Sequence, residues 1–322
     1  MNKEAAARRV ILGTRGSELA LFQAHHVAWT LQKHNVDLSV KIQKITTSGD
    51  KVLDSPLAEI GDKGLFVKEI ETALLSGDID LAVHSSKDLP TELPEGLMIG
   101  ALGAREDPRD AFLGQAGGLA DLPEGARIGT SSLRRRSQLL ALRPDLEIVD
   151  IRGNVDTRIR KIAELGLDGT ILAAAGVKRL ERESEVSFYF SVEEMIPAVG
   201  QGVIAIEVRE GDGATRDLVT VHDDAASTAA VQAERALMRW LEGGCQVPIG
   251  AHATVSGDKL ILRAYLGSLD GKRFIRDSIE GPVILAENLG EQLGKKMFES
   301  GGEEILNEVR EAPAGENTGY WT

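Results

Sequence analysis

Two stretches of this chain, far apart in sequence, read as the same unit: a short apolar strand, a Gly-Thr turn and an amphipathic helix. Residues 10–12 run into Gly13-Thr14-Arg15-Gly16-Ser17 and a helix with Leu21, Ala24, Ala28 and Leu31 on one face. Residues 127–128 run into Gly129-Thr130-Ser131-Ser132 and a helix from Leu133 to Leu142 that stops before Pro144. Strand, tight turn and helix is the building block of an α/β sheet, so its recurrence predicts two similarly built α/β units. Ser17 is placed to cap the first helix, which would bring free amides and Arg15 together at a helix N-terminus, a natural anion site.

Each unit continues in α/β fashion. In the first, Leu38, Val40 and Ile42 alternate as a half-buried strand, a helix over 65–75 stops at Gly77, and a strand at 79–83 leads into His84-Ser85-Ser86-Lys87-Asp88-Leu89-Pro90. In the second, a strand at 146–151 leads into Arg152-Gly153-Asn154, a helix runs to about Leu165, and a strand at 170–174 precedes Gly176-Val177-Lys178-Arg179. The polar motifs therefore fall at the carboxyl ends of strands, where open α/β sheets bind ligands, and two domains facing a cleft are expected. Pro197-Ala198-Val199-Gly200-Gln201-Gly202 reads as a crossover, and the apolar run 203–208 could rejoin the first sheet.

From Asp224 the character changes. One long helix, with Ala226, Ala229, Ala233, Leu237, Trp240 and Leu241 on a face, ends at Gly243-Gly244. Strand-like runs at 251–255, 260–266 and 273–279 follow, separated by Gly257-Asp258 and Asp270-Gly271 turns. Helical patterns over 285–298 and 303–309 close the pattern, and the tail from Ala312 reads as disordered. The expected organisation is an α/β domain of residues 1–103 with 203–220, an α/β domain of 108–197, and a C-terminal α+β domain of 224–322 with a three-stranded antiparallel sheet.

At 322 residues the chain exceeds one comfortable core, in keeping with several domains. No apolar stretch is long enough to span a bilayer, so no membrane partner is expected. The first nine residues carry charge without an apolar run, unlike a signal peptide. A single cysteine excludes an internal disulfide and fits a reducing, cytoplasmic setting. The net charge of −13 argues against nucleic acid. Against that acidic background the segment 127–161 is rich in arginine, including Arg134, Arg135, Arg136, Arg152, Arg158 and Arg160. A solvated basic face is the bland reading. No aromatics interleave with these arginines, so a base-stacking platform is missing. Small carboxylated or phosphorylated ligands, gripped by the two-pronged guanidinium, fit better.

Cys245 lies in Leu241-Glu242-Gly243-Gly244-Cys245-Gln246-Val247-Pro248-Ile249-Gly250. A lone cysteine is ordinarily a small buried hydrophobe. The Gly-Gly pair and the proline instead predict a tight exposed loop where something bulky approaches the sulfur, hence a covalent attachment point. Its place after a helix C-terminus disfavours a thiolate, which suits a thiol that reacts once and stays capped. The six histidines, among them His84 and His252, show no metal-ligand spacing, and no metal is expected.

Seven segments, in order between about residues 10 and 310, closely resemble the porphobilinogen deaminase (hydroxymethylbilane synthase) family. They are Gly13–Ser17, Gly64-Leu65-Phe66-Val67-Lys68-Glu69, His84–Pro90, Gly129–Arg135, Arg152-Gly153-Asn154-Val155 with Thr157-Arg158, Pro197–Gly202 and Glu242–Gly250. The resemblance implies two domains like periplasmic binding proteins, joined by two crossovers, and a third domain bearing the cysteine. It implies a transferase of haem and porphyrin biosynthesis that condenses four porphobilinogen molecules, each losing ammonia, into hydroxymethylbilane. The chain would grow on a dipyrromethane cofactor joined by a thioether to the residue matching Cys245. A monomer with porphobilinogen as its small-molecule partner is expected.

The resemblance also distributes roles. Asp88 matches the catalytic aspartate, which would stabilise the azafulvene-type cation left by ammonia loss and take part in proton transfer. Lys87, Ser85, Thr130, Ser131, Ser132, Arg134 and Arg135 would bind the cofactor, and Arg15, Arg152, Arg158, Arg179 and Gln201 the substrate. Lys87 and Asp88, read as neighbours in an extended segment, should point to opposite sides. Arg136 and Arg160 are set aside as solvated neighbours. Ser86 stands where the family commonly has methionine and Asp62 where it has glycine, so Lys63 is left out of the site. The competing class is a non-catalytic anion-binding module, which a bound dipyrromethane would exclude.

Overall fold

The computed structural model describes residues 8–51, 67–241 and 247–311. The Cys245 loop, Asp62 and Lys63 with most of the 48–64 segment, and the tail from Ala312 lie outside the described residues. The chain divides into two compact units, the first of described residues 8–51, 67–105 and 203–228, the second of 106–202 and 229–311. The expected second and third domains thus share one unit.

In the first unit five strands form a mixed sheet: β1 (Arg8–Thr14), β2 (Leu38–Lys44), β3 (Leu81–Ser85), β4 (Leu97–Leu102) and β10 (Ile204–Arg209), in the order β2-β1-β3-β10-β4. β1 runs parallel to β2 and β3, while β10 is antiparallel to both β3 and β4. The run after the crossover therefore does rejoin the first sheet. Helix Glu18–His34 covers one face through Ala24, Val27, Ala28 and Leu31, all buried. Its N-terminus is capped as expected, Ser17 Oγ accepting from the Ala20 amide at 3.3 Å. Helix Lys68–Ser76 packs Ile70 and Leu74 against the other face and stops at Gly77, whose φ of 80° lets the chain turn out of the helix.

The second unit repeats this topology. Strands β5 (Asp110–Gly114), β6 (Arg127–Gly129), β7 (Glu147–Val149), β8 (Gly169–Ala173) and β9 (Phe188–Tyr189) are ordered β7-β6-β8-β5-β9, with β6 parallel to β7 and β8 and with β5 antiparallel. Swapping β1, β2, β3, β10 and β4 for β6, β7, β8, β5 and β9 maps one order onto the other. The short Gly-Thr echo is the visible trace of that duplication. The strands β4, β5 and β9 were not read from sequence.

The C-terminal sheet in the same unit is an antiparallel meander of β11 (Ile249–Ser256), β12 (Lys259–Gly267) and β13 (Phe274–Pro282), as expected. Helices Ala225–Trp240, Ala286–Met297 and Glu303–Glu311 supply its core through Ala233, Leu237, Leu289, Leu293, Leu306 and their neighbours. The β12–β13 turn lies on helix Leu133–Leu142: a Cβ on Gly271 would come within 2.6 Å of the Ser137 carbonyl oxygen, and its φ of 70° also favours glycine. Ser137 Oγ bonds the Tyr265 hydroxyl at 2.7 Å and the Ser268 carbonyl at 2.6 Å, fixing the turn to the helix.

Candidate functional site

In the first unit the polar motif begins where β3 ends. Ser85 accepts a hydrogen bond from Gln23 Nε2 at 2.9 Å, and the Ser86 amide donates to the Val203 carbonyl at 2.9 Å. Residues Ser86–Asp88 then form one 3₁₀ turn, closed by the Leu89 amide on the Ser86 carbonyl at 3.3 Å. This corrects the extended reading: in such a turn Lys87 and Asp88 do not alternate across a strand. Leu89 is buried and anchors the turn, leaving Lys87 and Asp88 half-exposed at its apex. Ser86 is buried, with an Oγ that has no partner among the described residues. Arg15, half-exposed, follows buried Thr14 at the carboxyl end of β1, the neighbour of β3. Arg15 and the Ser85–Asp88 turn thus share the carboxyl edge of one sheet.

Behind this turn lies an acidic cluster that the sequence did not reveal. His84 Nε2 and Glu207 Oε2 are 3.1 Å apart and both residues are buried. Glu71, on helix Lys68–Ser76, is buried beside them. Burial first, then the nearby Glu207 carboxylate, pushes the Glu71 carboxyl up to about 7, with His84 opposing. The folded protein therefore holds this proton more tightly than the unfolded chain does. Stability gained from it is present below about pH 4.5 and is lost as pH rises toward 7. We expect Glu71→Gln, which mimics the protonated form, to be more stable than the parent at pH 8 and to match it near pH 5. The difference should reach at most about 3 kcal/mol. Denaturation curves at the two pH values check it.

In the second unit the polar residues again gather at the carboxyl ends of parallel strands. The Thr130 amide donates to the Val149 carbonyl at 2.8 Å, tying the turn after β6 to the end of β7, and Ser131 Oγ donates to the Ile151 carbonyl at 3.0 Å. Buried Thr130 Oγ1 accepts from the Ser132 amide at 3.2 Å, and Ser132 Oγ caps helix Leu133–Leu142 through the Arg135 amide at 3.4 Å. Asn154 caps helix Val155–Glu164 through the Thr157 amide at 2.8 Å. Arg158, one turn along that helix, donates from Nε to the Gly153 carbonyl at 2.9 Å. Two helix N-termini and the Arg152–Arg158 turn therefore share one edge.

Four residues expected at the ligand, Arg134, Arg135, Gln201 and Arg179, each have protein partners. Arg134 and Arg135 are both buried and both face Asp110, the fully buried first residue of β5. Arg134 Nη1 donates to Asp110 Oδ2 at 2.8 Å and to the Ile196 carbonyl at 2.8 Å. Arg135 donates through Nη2 and Nε to Asp110 Oδ1 at 2.7 and 3.1 Å, and through Nη1 to the Ile171 carbonyl at 2.8 Å. The two guanidinium groups hold the Asp110 carboxyl well below the usual carboxylate range although burial opposes them. Gln201 is also fully buried, and its Nε2 donates to the Pro108 carbonyl at 2.7 Å and to Asp110 Oδ1 at 3.0 Å. Gln201 thereby fastens the 197–202 segment to the chain entering β5. Arg179 donates to the Gly202 carbonyl at 2.7 Å, and burial lowers its affinity for the proton.

Glu234 completes this framework and was missed. Fully buried on helix Ala225–Trp240, it accepts from the Gly200 amide at 2.7 Å and from the Ala253 amide of β11 at 2.8 Å. Its signal was readable: a lone acid on the face shared by Ala230, Ala233, Leu237 and Leu241. The 197–202 segment is thus pinned by Gln201 on one side and Glu234 on the other. Among the described residues no group of three or more His, Cys, Asp or Glu could hold a metal ion, and no helix is long and apolar enough to cross a membrane.

Residues 10–217 match the family described as porphobilinogen deaminase, dipyromethane cofactor binding domain, and residues 228–299 match that described as porphobilinogen deaminase, C-terminal domain. The porphobilinogen deaminase of Geobacter sulfurreducens is 53% identical over 304 residues, covering 94% of this chain and 96% of that protein. That of Geobacter metallireducens is 52% identical with the same coverage of 94% and 96%. Among solved structures, the probable amino-acid ABC transporter extracellular-binding protein ytmK of Bacillus subtilis is similar with a TM-score of 0.42 and 12% identity, over 66% of this chain and 89% of that one.

Proposed function

The chain belongs to the porphobilinogen deaminase family, and from that premise we propose that it condenses four porphobilinogen molecules, with loss of four ammonia, into the linear tetrapyrrole hydroxymethylbilane. The observation that carries the reading is the continuity of the match, 53% identity over 94% of the chain, which takes in both α/β sheets and the three-stranded sheet. The half-exposed carboxylate at the tip of a rigid turn and the arginine-rich strand ends supply the chemistry such a reaction needs.

Asp88 is the catalytic group in this reading. As ammonia leaves porphobilinogen, positive charge spreads over the pyrrole and its nitrogen, and a fixed carboxylate beside that nitrogen lowers the cost of the charge. The same oxygen can hold a proton while the new carbon–carbon bond forms and the ring regains aromaticity. Arg15, Arg152, Arg158 and Arg179 bind the acetate and propionate groups that every pyrrole ring carries, so that orientation, rather than net charge, selects the reacting carbon.

A dipyrromethane fits the donor set. It presents carboxylates and pyrrole N–H groups; the first unit by itself offers the Ser85 hydroxyl and Lys87 beside Asp88, and the second offers the helix N-terminus at Ser132 and the hydroxyls of Thr130 and Ser131. The buried Ser86 Oγ, which has no hydrogen-bond partner among the described residues, agrees with a hydrogen-bonding ligand at that turn. When bound, the group supplies a pyrrole carbon for the first condensation and an anchor for the lengthening product. Arg134 and Arg135, paired with Asp110, fix the N-terminal turn of helix Leu133–Leu142 in place. Gln201 acts likewise, as a fastening of the crossover. Cys245, the only thiol in the chain, is the covalent attachment point, through a thioether. In this reading the protein acts as a monomer and works in the cytoplasm, the reducing compartment that its single cysteine fits.

Intact-protein mass spectrometry tests the proposal. The purified protein should exceed the mass of the bare chain by two linked pyrrole rings, and the added mass should map to the peptide containing Cys245. Active protein with the bare-chain mass and a free Cys245 would overturn it.

A further inference from the structure

Arg136 reads from sequence as a solvated neighbour, and the structure gives it another position. It is half-buried on helix Leu133–Leu142, and its Nε is buried with no hydrogen-bond partner among the described residues. A guanidinium N–H removed from water without an acceptor is costly, and such a donor points to an acceptor that arrives from outside. Its charged surroundings are Asp150, next to the end of β7, and Asp270, in the β12–β13 turn that lies on the same helix. Asp270 is otherwise engaged, accepting from Ser268 Oγ at 2.6 Å and from the Lys272 amide at 3.1 Å.

Asp150 is the centre of a wider group. Arg136, Arg152, Arg158 and Lys161, from two helices and one turn, all favour its charged form electrostatically. The register explains the convergence: Gly129 pairs with Val149, so helix Leu133–Leu142 and the Asp150–Arg152 segment leave adjacent strands on the same edge. Burial nonetheless pushes the Asp150 carboxyl up, which means that desolvation outweighs the attraction of its neighbours. Asp150 is thus a half-buried acid amid excess positive charge.

We propose that Arg136 is a further carboxylate-binding residue for the pyrrole units, and that Asp150 is an internal counter-ion that holds Arg136, Arg152 and Arg158 in place and competes with substrate carboxylates for them. The proposal rests on the porphobilinogen chemistry above. Nothing in the Gly-Thr-Ser-Ser or Arg-Gly-Asn motifs contains either residue. Asp150 keeps a strongly cationic edge from closing on stray anions, and it sets how tightly the lengthening polyanion is held.

Two substitutions test it on the holoenzyme. Arg136→Gln should raise the porphobilinogen concentration for half-maximal rate by about fivefold to tenfold, with an unchanged cofactor load. Asp150→Asn should act in the opposite sense, lowering that concentration, and should steepen its dependence on salt because more unshielded cations face the substrate. Trapped protein resolved by mass should show fewer molecules carrying three or four added pyrrole units in Arg136→Gln and more in Asp150→Asn. If both variants shift the melting temperature and leave the half-saturating concentration and the mass distribution as in the parent, the pair is a structural ion pair and the proposal fails. A parent protein that shows no added pyrrole units at all would instead remove the porphobilinogen reading itself.

Discussion

Asp88→Asn is expected to lower turnover by ~10²–10⁴-fold while leaving the fold and the cofactor load intact. The amide is nearly isosteric, and the turn that carries it does not depend on the carboxylate. The Ser86–Asp88 turn is fixed by backbone bonds, from the Ser86 amide to Val203 and from the Leu89 amide to Ser86, and by the buried Leu89 side chain. What the substitution removes is a negative charge and a proton acceptor at a half-exposed apex. Cofactor assembly is read by intact mass, folding by circular dichroism, and turnover under saturating porphobilinogen. A folded, cofactor-loaded variant with near-normal turnover would take the catalytic role away from Asp88. A loss confined to the half-saturating concentration would make Asp88 a binding residue instead.

The parts of this molecule that were legible in sequence are those written locally. The Gly-Thr turns with their Ser17 and Ser132 caps, the apolar faces of the helices and the Gly257 and Gly271 turns of the C-terminal meander each depend on residues within a few positions of one another. The crossover return of β10 was legible because an apolar run comes directly after Gly200-Gln201-Gly202. The strand β5 was not, since it is five residues long and opens with Asp110, an acid that ordinarily marks a loop. Asp110 can be buried only because Arg134 and Arg135 arrive from a helix beyond β6, a pairing set by topology. For the same reason the motif gave no sign that Arg134 and Arg135 share one buried acid, Asp110. Glu71 and Glu207 gave no local sign either: one sits on a helix rich in charge, the other mid-strand, and only the fold makes them neighbours of His84. The site's edge was thus predictable from strand ends, whereas the partners that hold its residues were not.

The triad of Asp110, Arg134 and Arg135 yields the largest expected effect on stability. Arg135→Leu should destabilise the protein by about 3–5 kcal/mol. The substitution deletes both Arg135 bonds to Asp110 Oδ1 and the bond to the Ile171 carbonyl, and it leaves a fully buried carboxylate with Arg134 and Gln201 as its remaining partners. Removing one partner of a buried pair costs more than the pair itself contributes, because the surviving charge stays desolvated. Adding Asp110→Asn to Arg135→Leu should therefore recover part of the loss, a coupling that a double-mutant cycle in denaturant measures directly. Lysine at 135 keeps the charge but cannot serve Asp110 and Ile171 together through a planar fork, so it should fall between the two. The pH dependence separates this effect from that of Glu71. Asp110 is held below the usual carboxylate range, so its stabilising contribution is present above the unfolded value near 3.8 and is lost only as pH falls into the acid region. The destabilisation by Arg135→Leu should hence be the same at pH 5 and pH 8, where that of Glu71 changes. Were Arg135 chiefly a ligand of the cofactor, Arg135→Leu would instead lose the added pyrrole mass while its denaturation midpoint, measured on cofactor-free protein, matched the cofactor-free parent. That outcome would show Asp110 content with Arg134 alone and would return Arg135 to the ligand.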